Sequence, residues 1–333
     1  MQRPPTMDDV ARRAGVSRAL VSLVMRDSPK VSAHRRNLVM EAAAELGYRP
    51  NVLARNLASH QTRTIGVMIN DLHNPYFADV IEGLEELAAD RGYRVLINSG
   101  WRRTDGEEAA IETLLEFRAS GVVLAGPRLA DEHIVSAAES VPLVAVGRAV
   151  ESDSLDSVNN DEIIGSRLVV EHLVDLGHHD IAHVDGGGGA GAQTRRRGYE
   201  LAMTALGLAD QIRVVAGDFT EVSGVAAAEE ILDWSRRPSA VFAANDVTAI
   251  GVLDTFEARG LQVPGDVSVV GYDNSAVAAM QHISLSTVNQ PRRDMGRLAM
   301  AALIERLEGT RTTARHEVIA PTLVPRATSG PAT

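Results

Sequence analysis

The chain has 333 residues, 45% of them hydrophobic and 23% charged, and no cysteine. That length exceeds one compact core of about 250 residues, so two or more globular domains are expected. The missing thiols exclude disulfides, thiolate nucleophiles, iron–sulfur clusters and cysteine-type zinc sites. No apolar run approaches the roughly 20 residues that cross a bilayer. The opening MQRPPTMDDVARRAG has no apolar signal core, so a cytoplasmic protein without a membrane partner is expected.

The net charge of −11 is unevenly spread. Residues 1–60 hold ten basic and five acidic residues, a net of +5, and residues 61–333 hold 23 basic and 39 acidic, a net of −16. A basic head on an acidic body is the footprint of a nucleic-acid arm, because phosphates attract the head while the body repels them. A merely solvated basic face would read the same way on charge alone.

Thr6 with Asp8 and Asp9 behind it marks a helix start, where a hydroxyl cap and acidic side chains suit the free N–H groups. Val10, Ala11 and Ala14 share one face, and Gly15 ends the helix. Ser17 caps a second helix, RALVSLVMR, with Leu20, Val21 and Val24 turned inward. About three residues separate the two, the spacing of a helix-turn-helix. Ser32 caps a third helix, AHRRNLVMEAAAEL, which stops at Gly47; Pro50 and Asn51 open a short segment, NVLARNLA. From residue 64 short β-rich runs alternate with amphipathic stretches: IGVMI, YRVLIN, GVVLAG, LVAVG, IAHVD, RVVAG, AVFAAN and VSVVGYD. Strands separated by helices predict parallel sheets covered on both faces. Eight strands over about 210 residues fit two doubly wound units better than one.

TMDDVARRAGVS, KVSAHRR and AAELGYRPNVLARNLA resemble the DNA-binding head and hinge of the LacI family of bacterial transcription regulators. The resemblance continues through IGVMINDLHNPYF, VEHLVDLGHHDIAHV, VFAANDVTAIG, DVSVVGYDN and LSTVNQP, about residues 5–326. It implies an α/β fold: a small all-α helix-turn-helix head, then two doubly wound parallel-sheet lobes of periplasmic-binding-protein type. The implied division is a head at 1–49, a hinge helix and linker at 50–62, one lobe at 63–161 with 291–325, and a second at 162–290. The small polar tail, 326–333, is expected to be disordered.

The resemblance also implies roles. Ser17, Arg18, Ala19 and Ser22 fall where a recognition helix meets bases and phosphates; Tyr48, Asn51 and Arg55 fall near the backbone and groove. Leu57 matches a leucine that wedges into the minor groove. Thr6 and Ser32, at helix starts, complete the DNA-facing set. Many relatives carry Arg where this chain has Leu23; an Arg there can bond guanine bidentately and Leu23 cannot. Either Arg18 or Arg26 reads the operator instead, or the preferred half-site differs; Leu23 packing inward is the plain alternative.

Ligands of such sheets bind at the carboxyl ends of the strands. Asp71, Asn74 and Phe77 follow the first run, Arg148 the fourth, and Asn160 and Asp161 precede a helix. Arg195 follows a glycine loop, Phe219 follows RVVAG, Asn245 and Asp246 follow AVFAA, and Asp273 follows VSVVGY. Asp and Arg for vicinal hydroxyls, Asn for a single hydroxyl and a flat ring for an apolar face are what a sugar needs. The resemblance places Arg195, Phe219, Asn245, Asp273 and Gln290 against the ligand, while Asp246 reads better as a helix cap. Arg148 could favour a phosphorylated or carboxylated sugar.

Gly186, Gly188 and Gly191 spell a dinucleotide-like G-x-G-x-x-G, but a loop with four glycines in a row meets many such patterns. His172, His178, His179 and His183 straddle a helix end and a strand, so capping outweighs metal binding. No nucleophile–base–acid arrangement stands out and no cofactor is called for, so no enzyme is expected. The expectation is a sugar-responsive repressor of carbohydrate-uptake or catabolic genes, binding a palindromic double-stranded operator as a homodimer. A purine- or nucleoside-sensing regulator is the runner-up, and a solute-binding protein of transport is the reading from another class.

Overall fold

The computed structural model describes residues 3, 5–25, 28–48 and 62–333. They fall into two compact units, 1–62 and 63–333.

In the first unit, α1 (Met7–Ala14), α2 (Arg18–Met25) and α3 (Ala33–Glu45) enclose a core of Val10, Ala11, Val21, Val24, Val31, Val39, Ala42 and Ala43. Gly15 ends α1 in the left-handed region, at φ +66°. The N-terminus of α1 is closed from the acid side: the Asp9 carboxylate accepts the Thr6 N–H at 2.9 Å and the Thr6 hydroxyl at 2.6 Å. Ser17 Oγ accepts the Leu20 N–H at 3.2 Å, as expected of a cap. The Ser32 side chain, expected to do the same for α3, makes no cap bond.

The second unit holds two parallel sheets and a crossing ribbon. The first lobe contains β1 (Thr64–Ile69), α4 (Tyr76–Asp90), β2 (Arg94–Ser99), α5 (Thr104–Glu116), β3 (Gly121–Ala125), α6 (Asp131–Ser140), β4 (Leu143–Val146) and β5 (Asp156–Asn160). The chain leaves this lobe and re-enters it for α11 (Arg292–Leu307) and β11 (His316–Ile319). The sheet order is β11-β5-β4-β3-β1-β2, parallel throughout. Strands β3 and β4 are buried at every position, because helices cover both faces.

The second lobe contains α7 (Glu162–Asp175), β6 (Ile181–Val184), α8 (Ala192–Ala205), β7 (Arg213–Val215), α9 (Glu221–Leu232), β8 (Ala240–Ala243), α10 (Asp246–Ala258) and β9 (Ser268–Val270). Its sheet order is β7-β6-β8-β9, also parallel. Strands β10 (Thr287–Asn289) and β12 (Thr322–Val324) pair antiparallel. The chain therefore passes between lobes three times: after β5, before α11 and after β11.

All eight predicted runs are strands. The four strands beyond them, β5 and β10 to β12, are polar or only three or four residues long, which hides them from hydropathy. Strand β5, DSVNN, is nonetheless fully buried. Asp156 in it has no exposed side-chain surface and accepts both guanidinium nitrogens of Arg311 at 2.8 Å, Arg306 at 3.1 Å and the Arg315 N–H at 2.7 Å.

The tail at 326–333 corrects the expectation of disorder. Ala327 donates to Ser284 O at 2.9 Å, Thr328 O accepts from Val269 at 2.8 Å, and Ala332 donates to Leu176 O at 2.8 Å. His172 and His178 hold it rather than capping a helix or gathering a metal: their rings reach Ser329 Oγ and Gly330 O, each at 2.9 Å. Among the described residues no helix is long and apolar enough to cross a membrane.

Burial pushes the Asp156 carboxyl up, but its bonds from Arg311, Arg315 and Arg306 outweigh this and hold it below the ordinary carboxylate range. A depressed acid contributes stability above its unfolded pKa of about 3.9 and loses it as pH falls through the folded value. Asp156→Asn should cost about 3 kcal/mol in urea unfolding at neutral pH, since it leaves the largely enclosed Arg306 without its carboxylate and Arg311 with Glu305 alone. The variant should also show a shallower loss of stability below about pH 4.

Candidate functional site

The carboxyl ends of both parallel sheets face one cleft of about 560 Å³, counted with its open mouth. Seven predicted residues line it: Asp71, Phe77, Arg195, Phe219, Asn245, Asp273 and Gln290.

Its floor is a buried ion pair. Glu162 opens α7 and Arg195 lies in the first turn of α8, and their side chains are 10% and 4% exposed. Arg195 Nε and Nη2 donate to the two Glu162 oxygens at 2.9 and 3.0 Å, and Nη1 donates to Ala244 O. The guanidinium lies 3.7 Å from the Tyr272 ring centre and 5.5 Å from that of Phe219. Burial opposes the charge of Arg195, but Glu162 and Tyr272 outweigh it and keep the guanidinium protonated.

Asp273 sits above this floor at φ +120°, a strained backbone for a non-glycine residue. Its N–H bonds Val288 O at 2.9 Å, and its carboxylate accepts the Gln290 amide at 2.6 Å. Burial pushes its carboxyl well above the ordinary range; Arg195 and Arg292 pull it back, while nearby Asp246 pushes it further up. Asn245 is the N-cap of α10, accepting the Thr248 N–H at 2.8 Å, and its amide donates to Phe219 O at 3.2 Å. Asp246 is not a cap: it accepts the Ser275 N–H and hydroxyl at 2.7 and 2.8 Å and the Thr287 hydroxyl at 2.5 Å.

The two aromatic walls come from opposite lobes, and both rest on glycine. A Cβ on Gly126 would lie 2.8 Å from the Phe77 ring. A Cβ on Gly186 or Gly189 would lie 2.3 Å from the Phe219 ring, which itself sits at φ +69°. The glycine run thus makes a bed for an aromatic ring, a reading that pattern matching to a dinucleotide cradle misses. At the mouth, Arg102 of the first lobe donates to the Asp218 carboxylate of the second at 2.8 Å and to Asp218 O at 2.7 Å.

Two of the nine predicted ligand residues do not join the cleft. Arg148 turns to Asp131 at 2.7 Å, and the Asn160 amide donates to the Tyr272 hydroxyl at 2.7 Å. Both line an adjoining hollow with Asn159, Gln193 and Thr194. Asn70, Asn74, Tyr76, Arg102, Arg128, Glu162 and Asp218 line the cleft in addition. Asn74 lay in a polar cluster visible in the sequence; nothing local to the chain marked Arg102, Arg128 or Glu162.

On the head, Ser17, Arg18 and Ala19 are exposed at the start of α2, and the Arg18 side chain is 70% exposed. Ser22 is half-buried and Thr6 is engaged by Asp9. Tyr48 and Leu23 pack against the head core, so Leu23 is spent on packing. Arg26, Asn51, Arg55 and Leu57 lie outside the described residues.

A helix-turn-helix with its second helix start exposed, followed by two lobes around a polar and aromatic cleft, defines a DNA-binding regulator with a small-molecule sensor. Residues 6–51 match the model of bacterial regulatory proteins of the lacI family, and residues 170–329 match a periplasmic binding protein-like domain. The chain is 34% identical to Catabolite control protein A of Priestia megaterium over 302 residues, 90% of this chain and 91% of that protein. The lac repressor dimer bound to operator and the anti-inducer ONPF superposes with a TM-score of 0.84 at 29% identity, covering 98% of this chain and all of that one. The transcriptional regulator CelR in complex with cellobiose superposes with a TM-score of 0.72 at 32% identity, covering 97% and 99%. The chain belongs to the lacI family of bacterial regulatory proteins; it is a transcriptional repressor and not an enzyme.

Gly186→Ala should displace the Phe219 ring and lower stability by about 1–3 kcal/mol. Thermal unfolding of the variant beside Gly188→Ala, which meets only the end of a flexible side chain 2.9 Å away, checks this.

Proposed function

We propose that this repressor acts in the cytoplasm as a homodimer on a two-fold symmetric operator, and that a sugar or sugar derivative in the cleft controls it. The observation that carries this reading is the convergence of Phe77 and Phe219, from opposite lobes, on a cleft lined by Asp71, Asn245, Asp273 and Gln290. Rings supply apolar faces, and the carboxylate and amide groups supply directional partners for hydroxyls. Because the two walls belong to different lobes, a ligand that touches both favours one interlobe angle over another. CelR, with cellobiose bound, lends support by likeness.

A carbohydrate-uptake or catabolic role for the regulated genes follows from that ligand class. The purine or nucleoside reading rests on the same two rings, which could stack on a base. The solute-binding reading leaves the DNA-binding head without a purpose.

Selection from random duplexes by the full chain should enrich a two-fold symmetric site. A sugar that raises the melting temperature should then change affinity for that site about 5–150-fold. A ligand that saturates the cleft and leaves DNA affinity untouched would sink the mechanism; a response to purines alone would move the reading to the runner-up. Arg18→Ala should weaken binding and reduce the slope of log affinity against log salt by about 1 if Arg18 meets a phosphate. If it meets a guanine instead, it should relax the preference at one position of the site.

A further inference from the structure

The cations around the cleft are not alike. Arg195 is neutralised by Glu162, Arg102 by Asp218 at 2.8 Å, and Arg148 by Asp131 at 2.7 Å. Arg128 is different. Its half-buried side chain lines the cleft, and among the described residues its guanidinium has neither an ion-pair nor a hydrogen-bond partner. The backbone beneath it is pinned. The wholly buried Glu107 carboxylate accepts the Arg128 N–H at 3.0 and 2.9 Å and the Leu129 N–H at 3.0 Å. Glu107 thus spends its oxygens on the loop and touches the guanidinium only through space. The side chain reaches across the cleft to the far lobe, where a Cβ on Gly188 would lie 2.9 Å from Nη2.

A guanidinium held at a fixed exit point, partly out of water and without an ion-pair partner among the described residues, is an incomplete interaction. It presents a planar fork of donors that fits a carboxylate or a phosphate. The acids facing the cleft do not supply one: Glu162 and Asp218 hold other arginines, Asp273 is held by Gln290, and Asp71 accepts from the His73 N–H and ring at 2.9 and 3.2 Å.

We propose that the effector carries an anionic group, a carboxylate or a phosphate on a hydroxylated frame, and that Arg128 receives it. This rests on the sugar reading of the cleft and narrows it. Arg148, the arginine that the sequence offered for this role, is occupied by Asp131.

The test uses matched sets titrated into the full chain by calorimetry: glucose, glucuronate and glucose 6-phosphate; galactose, galacturonate and galactose 6-phosphate; ribose and ribose 5-phosphate. An anionic member should bind about tenfold or more tightly than its neutral parent. Uronates and phosphates as separate arms tell which anion fits. Arg128→Gln should erase that advantage and Arg128→Lys should keep part of it. In the wild type, rising NaCl should weaken the anionic member and spare the neutral one, a readout that stands even where a variant fails to fold. A neutral parent that binds as tightly as its derivatives, or an advantage that survives Arg128→Gln, would overturn the proposal and leave the sugar reading intact. Silence from every member would overturn both.

Discussion

The Arg195–Glu162 pair organises the sensor. It joins the first residue of α7 to the first turn of α8, takes in the carbonyl that follows β8 and sets a flat cation against Tyr272. Three elements that are distant in sequence are thereby held together at the floor of the cleft. The pair need not stabilise the fold overall, because taking both charges out of water costs about as much as their attraction returns. Its effect is geometric. Neither partner can leave alone without stranding a buried charge, so α7, α8 and β8 keep one arrangement.

Position in the sheets explains why everything else collects there. Parallel strands send their carboxyl ends to the same edge, and helix starts sit beside them. Asp71, Asn245 and Asp273 each follow a strand or cap a helix, so each is held by backbone before any ligand arrives. Phe219 and Asp273 also sit at positive φ, at +69° and +120°. Such strain persists only where the surroundings over-determine it, here the glycine bed under Phe219 and the Gln290 amide on Asp273.

The lobes are coupled by a few groups of different kinds. Three passages of chain join them covalently, Arg102 reaches Asp218 across the mouth, and Arg292, at the start of α11, bonds Asp79 of one lobe and the Asn274 carbonyl of the other. Partly exposed pairs such as Arg102–Asp218 contribute modestly to stability. They are therefore suited to shifting between arrangements as the lobes move, whereas the buried floor is not.

Much was legible in the sequence, for reasons that can be named. The eight strands are short apolar β-branched runs, and covering helices demand that pattern. Seven of the nine residues expected to meet a ligand line the cleft, because strand ends and a family pattern mark that edge. Arg148 and Asn160 line the adjoining hollow instead, because a residue's distance along the chain from a strand end does not say which neighbour claims its side chain; Asp131 and Tyr272 claimed these. The tail read as loose because RATSGPAT is small and polar, yet its hydrogen bonds go to β9, to Ser284 and to Leu176. By itself the sequence determined the elements, the charge split and the edge of the sheets where chemistry gathers, since periodicity and caps are local properties. Only the tertiary structure decided which charges cancel. It paired Arg195 with Glu162, 33 residues away, and left the Arg128 guanidinium without an ion-pair partner among the described residues, because charge balance depends on distance in space and not along the chain.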